Sequence, residues 1–350
     1  MPMRVLMIGG TAAHPGGVEA FCARAAEAFG GDGDIRLDLV PADTAFLPIR
    51  RWPLLILQAW RTIRRHRGGI GGIWLHYVNL PDLAYLVMAR VMRVPVLVTP
   101  HLGTNWRSQS NPVLRRLSRA LLGRANGIAL LSPTQEREIA LPAHVRRWQV
   151  RTFLPRHLWA QPVPERDASR PLRLIHSARL SEGKGTFLFV DLCAMLRDRG
   201  LPFSACITGG SDAATMARLH AQIAGLDLAD CIEVTGLVGV DEQLARLRAA
   251  DVLVHLSRID SYPLIVLESL ACGVFPICLE LAGARDMVES YAGRLVPPQS
   301  PVESAADILS ATDLAALRGE ALAAAERVRA DHRWDECVAL LKPAMAATFG

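Results

Sequence analysis

At 350 residues and 38.1 kDa the chain is too long for one domain of average size and fits two. Apolar residues make up 51%, enough for two cores, which excludes a disordered or low-complexity protein. Charge divides unevenly: residues 1–150 carry 19 Arg, no Lys and 9 acids, a net +10, whereas residues 151–350 net −5, so one domain is expected to meet an anionic surface and the other not.

No apolar run reaches the ~18 residues of a membrane-spanning helix. The opening segment reads as strand, glycine loop and helix, without the layout of a signal peptide, so a cytosolic protein is expected. The seven cysteines show no C-x-x-C spacing, which points to buried thiols rather than a zinc site or a disulfide framework.

In chain order, the first half offers strands at Arg4–Ile8, Ile35–Val40, Ile73–His76, Val96–Thr99, Ile128–Leu131 and Gln149–Phe153. Helical patterns fall between them, at Val18–Phe29, Asp82–Met92 and Pro112–Leu122 among others. The second half repeats the alternation, with strands at Leu172–His176, Ser204–Thr208, Ile232–Thr235, Val252–Leu256 and Phe275–Cys278, and helices that include Thr186–Arg199, Asp241–Ala249 and Leu264–Ala271. Strands this apolar are buried on both faces, which predicts two doubly wound α/β domains with parallel sheets. The proline-bearing stretch 156–171 reads as a linker, giving domains at 1–155 and 172–330 and a closing segment at 331–350. Ligands of such domains sit at the carboxyl ends of the strands.

Three strand ends carry candidate chemistry. The first strand runs into Gly9-Gly10-Thr11-Ala12-Ala13-His14-Pro15-Gly16-Gly17, where Gly16 and Gly17 open a helix whose free N–H groups favour phosphate. The loop is neither G-x-G-x-x-G nor a P-loop, which disfavours a nicotinamide enzyme, and a plain strand-to-helix turn explains it as well. After Leu172–His176 come Arg179 and Lys184, two cations able to neutralise a diphosphate without metal, or else a solvated pair. After Val252–Leu256, Asp260 precedes a helix whose first N–H groups belong to Leu264 and Ile265. Glu268 lies within that apolar helix, where a carboxylate is costly without a partner such as ligand hydroxyls.

The order of these features resembles the family 4 glycosyltransferases of the GT-B fold over nearly the whole chain. The matching pieces are G-G-V-E at Gly16–Glu19, T-P-H at Thr99–His101, L-S-P-T at Leu131–Thr134, A-R-L-S-E-G-K-G at Ala178–Gly185, V-T-G-L-V at Val234–Val238 and the block Ala249–Gly273. The resemblance implies two Rossmann-like domains facing a central cleft, with acceptor on the first and nucleotide sugar on the second, and a terminal helix over Asp331–Phe349 crossing back to the first. It implies that Arg179 and Lys184 bind the donor diphosphate, Glu268 the ribose and Gly16–Gly17 the phosphates, while Asp260 and His101 face the donor sugar. It also implies a retaining hexosyl transfer from a UDP- or GDP-sugar, by front-face departure and attack. No D-x-D motif stands at a strand end, so turnover with no metal and no cofactor is expected. Three positions depart from the family pattern: Asp260 and Asp286 stand where glutamate is usual, and Leu154-Pro155-Arg156-His157 replaces P-N-G.

Arg50, Arg51, Arg61, Arg64, Arg65 and Arg67 bracket Trp52, Trp60 and the run Leu54–Leu57. On a helical wheel Leu55, Ile56, Ala59, Trp60 and Ile63 share one face, with Gln58, Arg61, Thr62 and Arg65 opposite. That composition fits an interfacial helix, and it also fits a core-packing helix with a solvated arginine face. The expectation is a peripheral protein on the inner face of the plasma membrane, acting on a lipid-linked saccharide in exopolysaccharide or envelope glycan synthesis. The alternatives are a non-catalytic partner subunit and a sugar-nucleotide epimerase on the same fold. No nucleic-acid recognition module is legible.

Overall fold

The computed structural model describes residues 2–10, 16–42, 44, 51–165 and 170–350. The Thr11–Pro15 part of the glycine loop and Arg50 lie outside them. The chain forms two compact units, one reaching Leu154 and taking in Asp331–Gly350, the other spanning Pro155–Ala330.

The first unit runs β1 (Met3–Ile8), α1 (Gly17–Ala28), β2 (Ile35–Val40), α2 (Trp52–His66), β3 (Gly72–Tyr77), α3 (Leu83–Val91), β4 (Val96–Pro100), α4 (Arg107–Ser110), α5 (Pro112–Leu122), β5 (Gly127–Leu130), α6 (Gln135–Glu138) and β6 (Arg146–Gln149). Its strands form one parallel sheet in the order β2-β1-β3-β4-β5-β6. Every residue of β3, β4 and β5 is buried, which is why these segments read as unbroken apolar runs. On one face α2 packs against α3 and α3 against α5.

The second unit runs β7 (Leu172–Ser177), α7 (Thr186–Asp198), β8 (Phe203–Thr208), α8 (Ala213–Gly225), β9 (Ile232–Gly236), α9 (Val240–Ala249), β10 (Val252–His255), α10 (Leu264–Ala271), β11 (Phe275–Leu279), α11 (Ala282–Ser290), β12 (Arg294–Val296), α12 (Pro301–Ala311) and α13 (Leu314–Asp331). Its sheet is again parallel, in the order β12-β11-β10-β7-β8-β9. A last helix, α14 (Trp334–Phe349), packs within the first unit beside α1 and against β4 and β5. The two sheets with flanking helices agree with the doubly wound α/β class expected from sequence.

Three local expectations need correction. The sixth strand is Arg146–Gln149, not Gln149–Phe153: it pairs with β5 as an edge, so its partly exposed arginines and tryptophan fit better than the buried Val150 and Phe153 that follow. The terminal helix starts at Trp334, because Arg333 takes an extended conformation (ψ 143°) after α13 ends. The buried stripe of α2 is Leu55, Ala59 and Ile63, with Gln58 turned inward to Ala42 O and Tyr85 Oη (3.3 Å each), whereas Trp60 is only half-buried.

The described part of the 156–171 stretch lies on the second unit. Leu158 is buried there, Trp159 Nε1 donates to Arg329 O (3.2 Å), and Arg170 pairs with the buried Asp251 (2.8 Å).

Candidate active site

In the second unit the strand order reverses between β7 and β10, so the loops leaving these two strands diverge and leave a crevice at their carboxyl ends. All six candidate residues of this unit follow those two strands. The β7 loop carries Arg179 and Lys184. Ser181 Oγ accepts from Lys184 N (3.3 Å), and the turn ends at Gly185, whose φ of 78° is left-handed. A Cβ on Gly185 would stand 2.5 Å from the Leu256 carbonyl oxygen, so only glycine lets the β7 and β10 loops meet this closely. Arg258 N then donates to Gly183 O (2.8 Å) and ties them together.

This closeness brings Lys184 to Asp260. The ammonium donates to Asp260 Oδ1, while His255 Nε2 donates to Oδ2 at 2.8 Å. Burial works against the Asp260 carboxylate, yet the hydrogen bond from His255 and the charge of Lys184 outweigh it and hold its pKa well below the ordinary value. His255 itself is buried, and its Nδ1 has no partner among the described residues. Beneath the loop, His176 bonds Val254 O and Thr186 Oγ1 (3.2 Å each), and burial pushes its pKa down to about 4.

Arg179, by contrast, is exposed, and no ion pair engages it among the described residues. Glu268 is buried one turn into α10. No side chain caps that helix, and the N–H groups of Leu264 and Ile265 have no acceptor among the described residues. The crevice thus offers one exposed guanidinium, one ammonium shared with a carboxylate, and an uncapped helix N-terminus. Together these suit a diphosphate, whose charge falls on the cations and the N–H groups.

The first unit holds the other candidates. Gly16 is the N-cap of α1 in ordinary extended conformation (φ −158°), and Gly17 begins the helix. Glu19 already supplies an acid in that first turn, which competes with any phosphate there. His101 follows β4, and its Nε2 meets His76 Nδ1 at 2.8 Å, with the Phe21 ring against both imidazoles. Burial holds both rings neutral, with His101 pushed down to about 3 and the fully buried His76 further lowered by its neighbour. His76 Nε2 has no partner among the described residues.

Sequence reasoning missed His76, His176 and His255. Each is a polar ring at the carboxyl end of an otherwise apolar strand, where a doubly wound sheet presents its ligand-facing groups, and that position was the available signal.

Comparison with known proteins gives this crevice a family. The model of glycosyl transferases group 1 matches residues 160–327, which carry Arg179, Lys184, Asp260 and Glu268. The second unit is a group 1 glycosyltransferase domain. The amylovoran biosynthesis glycosyltransferase AmsK of Erwinia amylovora is 29% identical over 151 residues, which is 41% of this chain and 37% of that protein. The match therefore spans well under half the length of that relative. Among solved structures, HepE of Anabaena in complex with UDP-glucose superposes with a TM-score of 0.75 at 16% identity, covering 99% of this chain and 100% of that one. Sucrose-phosphate synthase of Thermosynechococcus elongatus gives 0.79 at 19% identity, covering 99% of each. At these identities the likeness establishes the fold, which is GT-B with two Rossmann-like units.

Proposed function

We propose that the chain transfers a hexosyl group from a UDP- or GDP-sugar to a saccharide acceptor, with retention at the anomeric carbon, in exopolysaccharide or envelope glycan synthesis. The observation that carries this reading is the pair of loops at the β7/β10 strand ends, where Lys184 pairs with Asp260 and where Arg179, Glu268 and the uncapped α10 follow the same two strands. The donor diphosphate lies against Arg179, Lys184 and the N–H groups of Leu264 and Ile265, which absorb the charge growing on the departing nucleoside diphosphate. Those groups do the work of a metal, so turnover is metal-independent. Asp260 and His255 hold Lys184 in place before the donor arrives, and Glu268 takes the ribose hydroxyls. His101, kept neutral, donates or accepts toward the sugar without adding charge. The amylovoran relative supports a polysaccharide product, and the UDP-glucose complex of HepE supports a nucleotide-sugar donor.

Peripheral membrane association, with a lipid-linked acceptor on the inner leaflet, belongs to the same proposal. Among the described residues no helix is long and apolar enough to cross a membrane. On α2, Leu54 is 62% exposed and Leu57 is exposed beside Arg61, Arg64 and Arg65, with Arg64 stacked 4.9 Å over Trp60. Arginine and tryptophan beside exposed leucine suit a headgroup region.

The test is a thermal-shift screen against UDP-, GDP- and dTDP-sugars, followed by transfer of a labelled sugar from the best ligand with and without EDTA. A stabilising nucleotide sugar and EDTA-resistant transfer support the reading. No response to any nucleoside diphosphate, or a strict requirement for a divalent ion, contradicts it.

A further inference from the structure

We propose a second anion site, in the first unit, that binds a phosphate-bearing ligand of diphosphate type. Between α5 and the α6–β6 segment lies a concavity of about 540 Å³, within the range of small-molecule sites. Arg115, Arg116 and Arg119 line it from α5, Arg137 from α6 and Arg147 from β6. One acid, Glu136, faces these five guanidinium groups, leaving a net charge of +4. It reaches Arg147 at 3.8 Å with both side chains partly exposed. No side-chain partner engages Arg115, Arg116, Arg119 or Arg137 among the described residues.

Guanidinium groups on a loose surface separate and solvate. The backbone beneath these is pinned, which limits how far they separate. The buried Gln109 accepts from Ala140 N (3.0 Å) and donates to Ser118 Oγ on α5 (3.3 Å), so it bridges the two walls. Arg147 is held to Pro142 O at 3.2 Å. The floor includes the buried Ile139 and Leu141, and an apolar floor strengthens charge–charge contacts above it. Like charges fixed on one wall repel, and a multiply charged anion relieves that repulsion. A single carboxylate leaves most of it in place, whereas a diphosphate matches it with several oxygens in the geometry that guanidinium forks favour.

The residues of this site belong to the first unit and those of the β7/β10 crevice to the second, and the proposal does not depend on the glycosyltransferase reading. The probe is inorganic pyrophosphate, titrated calorimetrically into the full chain with one equivalent of UDP present, whose nucleoside adds contacts in the β7/β10 crevice and so directs it to that anion site first. Pyrophosphate binds the UDP-bound protein, and Arg116→Ser with Arg119→Ser weakens it by about tenfold or more, since two charge-assisted contacts are lost. Arg61→Ser with Arg65→Ser, which removes the same charge from α2, changes it less than about twofold. All four side chains are exposed, and matched thermal melts establish that the variants fold.

Absence of pyrophosphate binding in the UDP-bound wild type overturns the proposal, as does equal weakening by the two double variants, which assigns the effect to a diffuse field. Failure of UDP to bind contradicts the proposed function instead and leaves the comparison of the two double variants intact. Displacement of pyrophosphate by phosphatidylglycerol vesicles assigns the site to a lipid headgroup, and binding untouched by vesicles assigns it to a free phosphorylated ligand.

Discussion

Lys184 and Arg179 are two cations on one loop in different states. Lys184 is already paired with Asp260, while Arg179 is exposed without an ion pair among the described residues. Arg179→Ala is therefore expected to lower turnover about 100-fold with little loss of thermal stability, whereas Lys184→Ala also leaves the Asp260 carboxylate short of a partner and lowers both. Steady-state rates and melting temperatures on the same preparations check this. The depressed pKa of Asp260 adds a pH signature. A carboxylate whose folded pKa lies below its unfolded value of about 3.9 stabilises the fold above that pH and loses the contribution as pH falls through the folded pKa. Asp260→Asn is thus expected to be less stable than wild type at neutral pH and to lose that difference below about pH 4. His76 and His101 act in the opposite range. Both are lowered by burial, His101 to about 3, so as pH falls below about 6.5 the unfolded chain binds protons that the native one refuses, and stability falls with it. His76→Asn should shrink that slope by about 1.4 kcal/mol per pH unit or less, measured as urea midpoints at several pH values.

At the scale of elements, α2 shows how one helix serves two solvents. Leu55, Ala59 and Ile63 repeat at intervals of four and are fully buried, while Leu54 and Leu57, on either side of Leu55 in sequence, are exposed. Leu55→Ala is expected to cost about 2–5 kcal/mol of stability by opening a cavity. Leu54→Asp with Leu57→Asp should change stability by about 0.5 kcal/mol or less, yet reduce partition onto anionic vesicles. Denaturant melts and vesicle sedimentation separate the two faces, and equal losses of stability would show that both are core. The Gly185 turn is the other element under constraint. A side chain there meets both a left-handed φ and the Leu256 carbonyl, so Gly185→Ala should cost about 1–3 kcal/mol and weaken nucleotide binding by displacing Lys184.

For the whole molecule, the last helix matters more than its place in the chain suggests. Trp334 Nε1 donates to Leu154 O (2.8 Å), Lys342 bridges Asp32 and Asp34 (3.0 and 2.6 Å), and the Phe349 ring fills the space left by the missing side chain of Gly72. Residues 180 to 310 positions apart in sequence thus close the first unit. Phe349→Ala should lower its stability by about 2 kcal/mol, since the ring is half-buried, with a smaller effect on the second unit. Hydrogen exchange in the two units distinguishes this local effect from a global one.

The alternation of apolar runs with amphipathic stretches determined, without any structure, that the chain forms parallel sheets, because a strand buried on both faces has to be apolar along its whole length. Most strand positions agree to within a residue or two for that reason. The edge strand β6 escaped because an edge is not obliged to be apolar, and its Arg146, Arg147 and Trp148 carry no such pattern. Loop position likewise marked Arg179, Lys184 and Asp260, since charged side chains stand out at the ends of apolar strands, and Glu268 stood out as a carboxylate within an apolar helix. Sequence could not show that Lys184 and Asp260, 76 residues apart, are partners, or that His255 completes their contact. Nor could it show that Arg115 to Arg119 face Arg137 and Arg147 across one concavity. Those pairings depend on strand order and on the close approach of two loops at Gly185, and strand order follows from how the whole chain buries its apolar surface rather than from any local run of residues.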